Sequence, residues 1–123
     1  MSTTQIRLKN GILIRHTGAK DAEQLEQLQV LVFPTLADEE RFKAVHYRRH
    51  VELFPEGQFV AELDNRIVGM TTTIRYHFNF NAADHSFEEM IDGGWLSAHQ
   101  PDGDWLYGLD IGVHPEFRRM GIG

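Results

Sequence analysis

The sequence predicts an α/β (α+β) domain in which two early helices pack on a mostly antiparallel sheet. Three observations carry that prediction. Helical spacing is clearest over one stretch, roughly residues 20–53. Short β-branched runs flank it and are joined by tight turns. A last strand-like run then leads into a glycine loop at Gly121 and Gly123. A chain of 123 residues is read as one domain, residues 1–123, long enough to close a modest core.

Ile12-Leu13-Ile14-Arg15 reads as a strand, paired with Ile6–Leu8 across Asn10-Gly11, a strong hairpin turn. Lys20-Asp21-Ala22-Glu23 opens a helix with acidic residues in its first turn, where the helix dipole favours them. Ala22, Leu25, Leu28, Leu31 and Val32 form its inward stripe, and Pro34 stops it. A second helix is expected from about Asp38 to Leu53, with Phe42, Val45 and Leu53 inward and Tyr47 and Val51 beside them.

Pro55-Glu56-Gly57 is a turn, and 58–63 reads as a strand. Asp64-Asn65 turns the chain into a return strand that begins at Arg66 and extends through Tyr76. Between Asn79 and Asp104 the pattern weakens; Ser86-Phe87-Glu88-Glu89 has the spacing of a capped helix start that Gly93-Gly94 would end. Pro101-Asp102-Gly103-Asp104 is a turn, and Trp105–Val113 is the last strand.

Composition excludes several chemistries. With no cysteine there is no disulfide, thiolate metal site or cysteine nucleophile. Acidic residues outnumber basic ones, 18 to 12, for a net charge of −6, which argues against nucleic acid as a partner. No apolar stretch is long enough for a membrane span, so a cytoplasmic location and no membrane partner are expected. His46 and His50 lie four apart on the second helix, but Arg48 and Arg49 beside them oppose a cation, and no metal is expected.

The chemistry concentrates at the end of the chain. A strand that runs into Arg-x-x-Gly-x-Gly is suited to bind an anion: glycines let the backbone come close to a phosphate and offer successive N–H groups. Arg118 and Arg119 add positive charge. Read locally, the same glycines also suit a flexible tail.

Val113-x-Pro115-x-x-Arg118-x-x-Gly121-x-Gly123 resembles the acyl-CoA-binding motif of the GNAT superfamily of N-acetyltransferases. The upstream order, one strand, two helices and then three strands, is similar as well. The segments 53–63 and 101–108 look like the acetyltransferase domain that precedes a carbon–nitrogen hydrolase domain in some bacterial fusion proteins. The resemblance implies a partial GNAT fold: the amino-terminal part of the domain, ending in the pyrophosphate loop, which the helix and strands of the family's second half would complete. Either a longer native chain or another chain is then expected to supply them, and a 123-residue monomer is expected to be a poor enzyme or none.

The resemblance further implies transfer of an acetyl group from acetyl-CoA, as cosubstrate, to an amine of a small molecule or peptide. The backbone of Ile111, Gly112 and Val113 would pair with the pantetheine arm, an N–H near Ile111 polarising the thioester carbonyl. Arg118, Arg119, Met120, Gly121, Ile122 and Gly123 would hold the pyrophosphate. The amine must lose a proton. Asp110 is the candidate base, with Tyr107 and Glu62 behind it; read by itself, Asp110 is more simply a strand carboxylate that faces solvent or caps a neighbour. Aromatic residues between His77 and His99 either shape the acceptor pocket or cover a core or a homodimer face. The rival reading is a non-catalytic module that binds CoA or self-associates.

Overall fold

The computed structural model describes residues 5–77, 92–120 and 122. Among them are five strands, β1 (Gln5–Arg7), β2 (Leu13–His16), β3 (Phe59–Leu63), β4 (Arg66–Tyr76) and β5 (Trp105–Val113), and two α-helices, α1 (Ala22–Val32) and α2 (Ala44–Leu53). The strands form one antiparallel sheet in chain order, with β1 and β5 at its edges. The antiparallel expectation therefore holds throughout.

Local chemistry explains the turns. Gly11 takes φ +88° between β1 and β2, a conformation that favours glycine, and the Leu8 N–H bonds Ile12 O at 2.7 Å. Asp64 and Asn65 both have positive φ, 51° and 66°, as a two-residue hairpin turn requires. Arg15 ties this end together: its guanidinium donates to both oxygens of Asp21, at 2.8 and 3.0 Å, and to Glu62 at 3.0 Å.

Each sheet face has its own core. On one side α1 and α2 bury Leu25, Leu28, Tyr47, Val60, Met70 and Ile74. On the other Ile12, Ala61 and Val68 pack with Leu63, Phe117, Met120 and Ile122, so the segment after β5 folds back over that face.

Three expectations are corrected. Leu31 is exposed, and Gln29 takes its place on the buried side of α1. The stretch from Asp38 to Leu53 is not one helix. A 3-10 turn covers Asp38–Glu40, the backbone is extended at Arg41 and Lys43, and α2 starts at Ala44. The break lets Phe42 enter the core, and side chains satisfy the freed N–H groups: Lys43 N–H donates to His46 Nδ1 at 2.9 Å and Ala44 N–H to Glu26 at 2.7 Å. Val45 consequently points outward, while Tyr47 and His50 point inward. The capped helix start at Ser86–Glu89 lies outside the described residues, as do Phe78, Phe80, Phe87 and Met90.

Candidate active site

The site is built where β5 meets α1. Asp110 pairs with Thr72, but Thr73 pairs with Gly108, so Leu109 is an extra residue and β5 bulges. A bulge redirects the side chains beside it. Asp110 turns to the helix side and receives a hydrogen bond from Gln29 Nε2 at 2.7 Å. Its carbonyl accepts from Thr71 Oγ1 at 3.0 Å. Gln29 is 2% exposed, and its Oε1 accepts from the Phe42 N–H at 3.3 Å. One amide thus joins α1, the break before α2, and β5.

Burial pushes the Asp110 carboxyl up to about 6, with the Gln29 hydrogen bond pulling the other way. The Tyr47 hydroxyl is buried beside Gln29 without a well-formed hydrogen bond; burial and the nearby Asp110 charge hold it well above its ordinary value.

Asp110 lines a cavity of about 230 Å³. Phe33, Leu36, Phe42 and Leu109 form its apolar walls, and Gln29 and Glu40 complete the lining. A smaller cavity, about 80 Å³, lies by Ile111, Gly112 and Val113, with Gly69, Thr71 and Ile122 among its other walls.

The other sequence-selected residues fall along β5 and the turn after it. Ile111 is 65% exposed, the buried Gly112 pairs with Met70, and Val113 pairs with Gly69. β5 is an edge strand among the described residues, so alternate backbone groups point away from the sheet. The buried His114 accepts the Glu116 N–H at Nδ1, 3.1 Å, and opens a 3-10 turn over Pro115–Phe117. Arg118 is exposed and its Nε donates to Val113 O at 3.3 Å. Arg119 is exposed with φ 71°; Met120 O accepts from Asn10 at 2.9 Å; Ile122 packs on the second face. Gly121 and Gly123 lie outside the described residues. The structure thus brings Asp110, Ile111, Gly112 and Val113 into one continuous edge, with Arg118–Met120 just beyond it.

The lesser candidates sit elsewhere. Glu62 is bound by Arg15 on β3, and Tyr107 pairs with Ile74 before the bulge. His46 caps α2, and His50 Nε2 lies 2.6 Å from Gly94 O. Among the described residues no three His, Asp or Glu side chains converge as metal ligands. Nor is any helix there long and apolar enough to cross a membrane. Trp95 stacks edge-on against His46, centroids 4.5 Å apart.

Gln29, Tyr47 and His114 are the site residues that sequence reasoning missed as such. Gln29 carried a signal: it lies one turn from Leu25 and next to Leu28, a polar residue on an apolar stripe.

The site thus lies on an antiparallel sheet with two helices on one face, whose bulged edge strand runs into an arginine-bearing turn. The acetyltransferase (GNAT) family model matches residues 22–123, and the chain belongs to that family. Among curated relatives it is 36% identical over 117 residues to a probable hydrolase, YhcX, of Bacillus subtilis (strain 168). That match covers 95% of this chain and 22% of YhcX. It is 34% identical over 113 residues to an uncharacterized N-acetyltransferase, YkwB, of the same organism, covering 91% of this chain and 50% of YkwB. The chain therefore spans half or less of the curated relatives it matches. Two solved structures share the fold. The loading GNATL domain of CurA from Lyngbya majuscula aligns with a TM-score of 0.72 at 22% identity, over 90% of this chain and 52% of that one. The GphF GNAT-like decarboxylase in complex with isobutyryl-CoA aligns with a TM-score of 0.73 at 26% identity, over 89% and 52%.

Proposed function

We propose that this chain transfers the acetyl group of acetyl-CoA to an amine, with Asp110 as the base. The observation that carries the reading is Asp110 itself: a carboxyl raised to about 6, held by Gln29 on a bulge, lining an apolar cavity and adjoining the exposed Ile111 edge. A general base works best when its pKa lies near the working pH, and burial has moved this one towards it.

In this reading the backbone of Ile111–Val113 takes the pantetheine arm, and an N–H at Ile111 supports charge on the thioester oxygen. Arg118, Arg119, Met120 and Ile122, with Gly121 and Gly123, hold the pyrophosphate. The exposed arginines and the exposed edge suit such a ligand. Asp110 takes the proton of the incoming ammonium; the freed amine attacks the carbonyl carbon; the carbon–sulfur bond breaks, and the remaining excess proton on nitrogen passes to the departing sulfur, so that the amide forms and CoA leaves as the thiol. Residues 1–123 are read as the amino-terminal part of the transferase domain. A cytoplasmic setting, where acetyl-CoA is made and used, follows from the same reading.

Calorimetric titration with acetyl-CoA, with dephosphorylated pantetheine as control, tests the cosubstrate site. Saturable binding of acetyl-CoA alone is expected; equal binding of both compounds rejects a pyrophosphate grip. Release of free thiol with an amine panel tests transfer, and Asp110→Asn is expected to lower it at least a hundredfold while acetyl-CoA still binds.

One observation favours a second reading. The neighbour GphF is described as a decarboxylase bound to isobutyryl-CoA, so the site would instead remove carboxylate from a larger acyl-CoA. Carbon dioxide release from a carboxylated acyl-CoA without added amine would identify it.

A further inference from the structure

The larger cavity has a chemical character of its own. Its walls, Phe33, Leu36, Phe42 and Leu109, are apolar. Among the described residues, its only ionisable lining residues are two carboxyls, Asp110 and Glu40. Asp110 sits at the sheet, tied to α1 through Gln29, and Glu40 sits on the exposed 3-10 turn, where one oxygen accepts the Ala37 N–H at 3.1 Å. The nearest turn's cation, Arg41, does not line the cavity. Its guanidinium is spent on Phe33 O at 3.0 Å and Pro34 O at 3.1 Å, and it lies 3.9 Å from Asp38. Lys43 is drawn off to Asp38 as well. Among the described residues, an anion entering this space would meet like charge and no cationic lining residue, whereas a cation would meet two carboxyls.

We infer that the acceptor is an organic cation, a protonated primary amine carried on an apolar body without a carboxylate of its own. The inference rests on the transfer reading above and narrows its substrate class. The apolar body lies against Phe33, Leu36 and Phe42, while the ammonium sits between the Glu40 rim and Asp110. At about 230 Å³ the cavity is small beside ordinary ligand pockets of ~300–1,000 Å³ and suits a body of one ring or a short branched chain. Free α-amino acids are disfavoured because their carboxylate would face Glu40 or Asp110. The proton lost on reaction passes to Asp110, so the group that draws the cation in also prepares it for attack.

The test uses the full chain with CoA present and three compounds of one shape: phenethylammonium, phenethyl alcohol and phenylalanine. Binding is read by calorimetry at pH 8, and acetyl transfer by thiol release in a separate assay. Phenethylammonium is expected to bind at least tenfold more tightly than either analogue. Glu40→Gln is expected to weaken the ammonium several-fold and to leave the alcohol unchanged; Glu40 is on the surface, so this variant folds. Binding of phenylalanine or the alcohol as tight as the ammonium overturns the inference, as does an E40Q variant that weakens all three alike. The two readings fail separately. Transfer that proceeds with no cation preference sinks the substrate class and leaves transfer standing. A clear cation preference in binding, with no thiol released, sinks transfer and leaves the charge selectivity of the cavity.

Discussion

Gln29 lies on the buried side of α1 with Leu25 and Leu28, and its amide is shared between the Asp110 carboxyl and the Phe42 N–H. A buried amide with both ends engaged orients its partners, and here the partner is the proposed base. Because the Gln29 bond favours the charged form of Asp110, removing it raises the carboxyl further. Gln29→Leu is therefore expected to move the acidic limb of the pH–kcat/KM profile to higher pH, with the plateau reached later. A profile that keeps its limb near pH 6 would mean Gln29 has no hold on the base. The candidacy of Asp110 was legible in the sequence from its place beside the glycine-loop strand. Its partner was not, because Gln29 and Asp110 are 81 residues apart in the chain and meet only through packing.

At the scale of elements, the contact between α1 and β5 is set by a missing side chain. A Cβ at Gly112 would lie 2.8 Å from Val32 Cγ1 and 2.9 Å from the Met70 sulfur, so α1 approaches β5 as closely as it does only over a glycine. Gly112→Ala is expected to cost about 1–3 kcal/mol in chemical denaturation, the usual range for overpacking, and to weaken acetyl-CoA binding along the same strand. Arg15 does comparable structural duty at the other end of the sheet. Burial alone would push the Asp21 carboxyl up, but Arg15 and the Gly18 N–H outweigh it and hold it below the ordinary range. Arg15→Met leaves the nearly buried Asp21 without its cation and is expected to destabilise by about 3–5 kcal/mol. A loss under about 1 kcal/mol would class the cluster with surface ion pairs. The sequence placed these strands and turns to within a few residues, because period-two patterning and turn residues are local signals. It overran the start of α2, since the need to bury Phe42 is a tertiary demand that breaks an otherwise helical run.

At the scale of the whole molecule, Asp110 and His50, two buried groups among the described residues, oppose each other in their effect on stability. Burial raises Asp110 to about 6, so the folded chain binds a proton there more readily than the unfolded chain. That contribution is present at low pH and is lost as pH rises from about 4 to about 6. Burial lowers His50 to about 4, with the Gly94 carbonyl opposing, so its contribution is present above about 6.5 and is lost as pH falls towards 4. At about 1.4 kcal/mol per pH unit each amounts to at most about 3 kcal/mol, and the two nearly cancel between pH 4 and 6. Burial also lowers His46 and His99, so the wild-type chain is expected to lose some stability on acidification from 6.5 to 4, less than it would without Asp110. Asp110→Asn removes one side of the balance: the variant should gain stability at pH 8 relative to wild type and lose stability on acidification from 6.5 to 4. Urea denaturation at pH 4.5, 6.5 and 8 reads all of this, and a wild-type and variant that track each other in parallel would contradict it.

The sequence alone determined the class of fold, the order of its elements and the arginine–glycine signature at its end, because periodicity, turn chemistry and a phosphate-suited loop are each written in a few neighbouring residues. Tertiary structure decided what those elements do together. It set the extra residue at Leu109 that turns Asp110 towards α1, the break that brings Phe42 and Glu40 to one cavity, and the burial that raises the Asp110 carboxyl. Burial, bulge register and partnership across 81 residues depend on which surfaces meet, and no local run of residues encodes that.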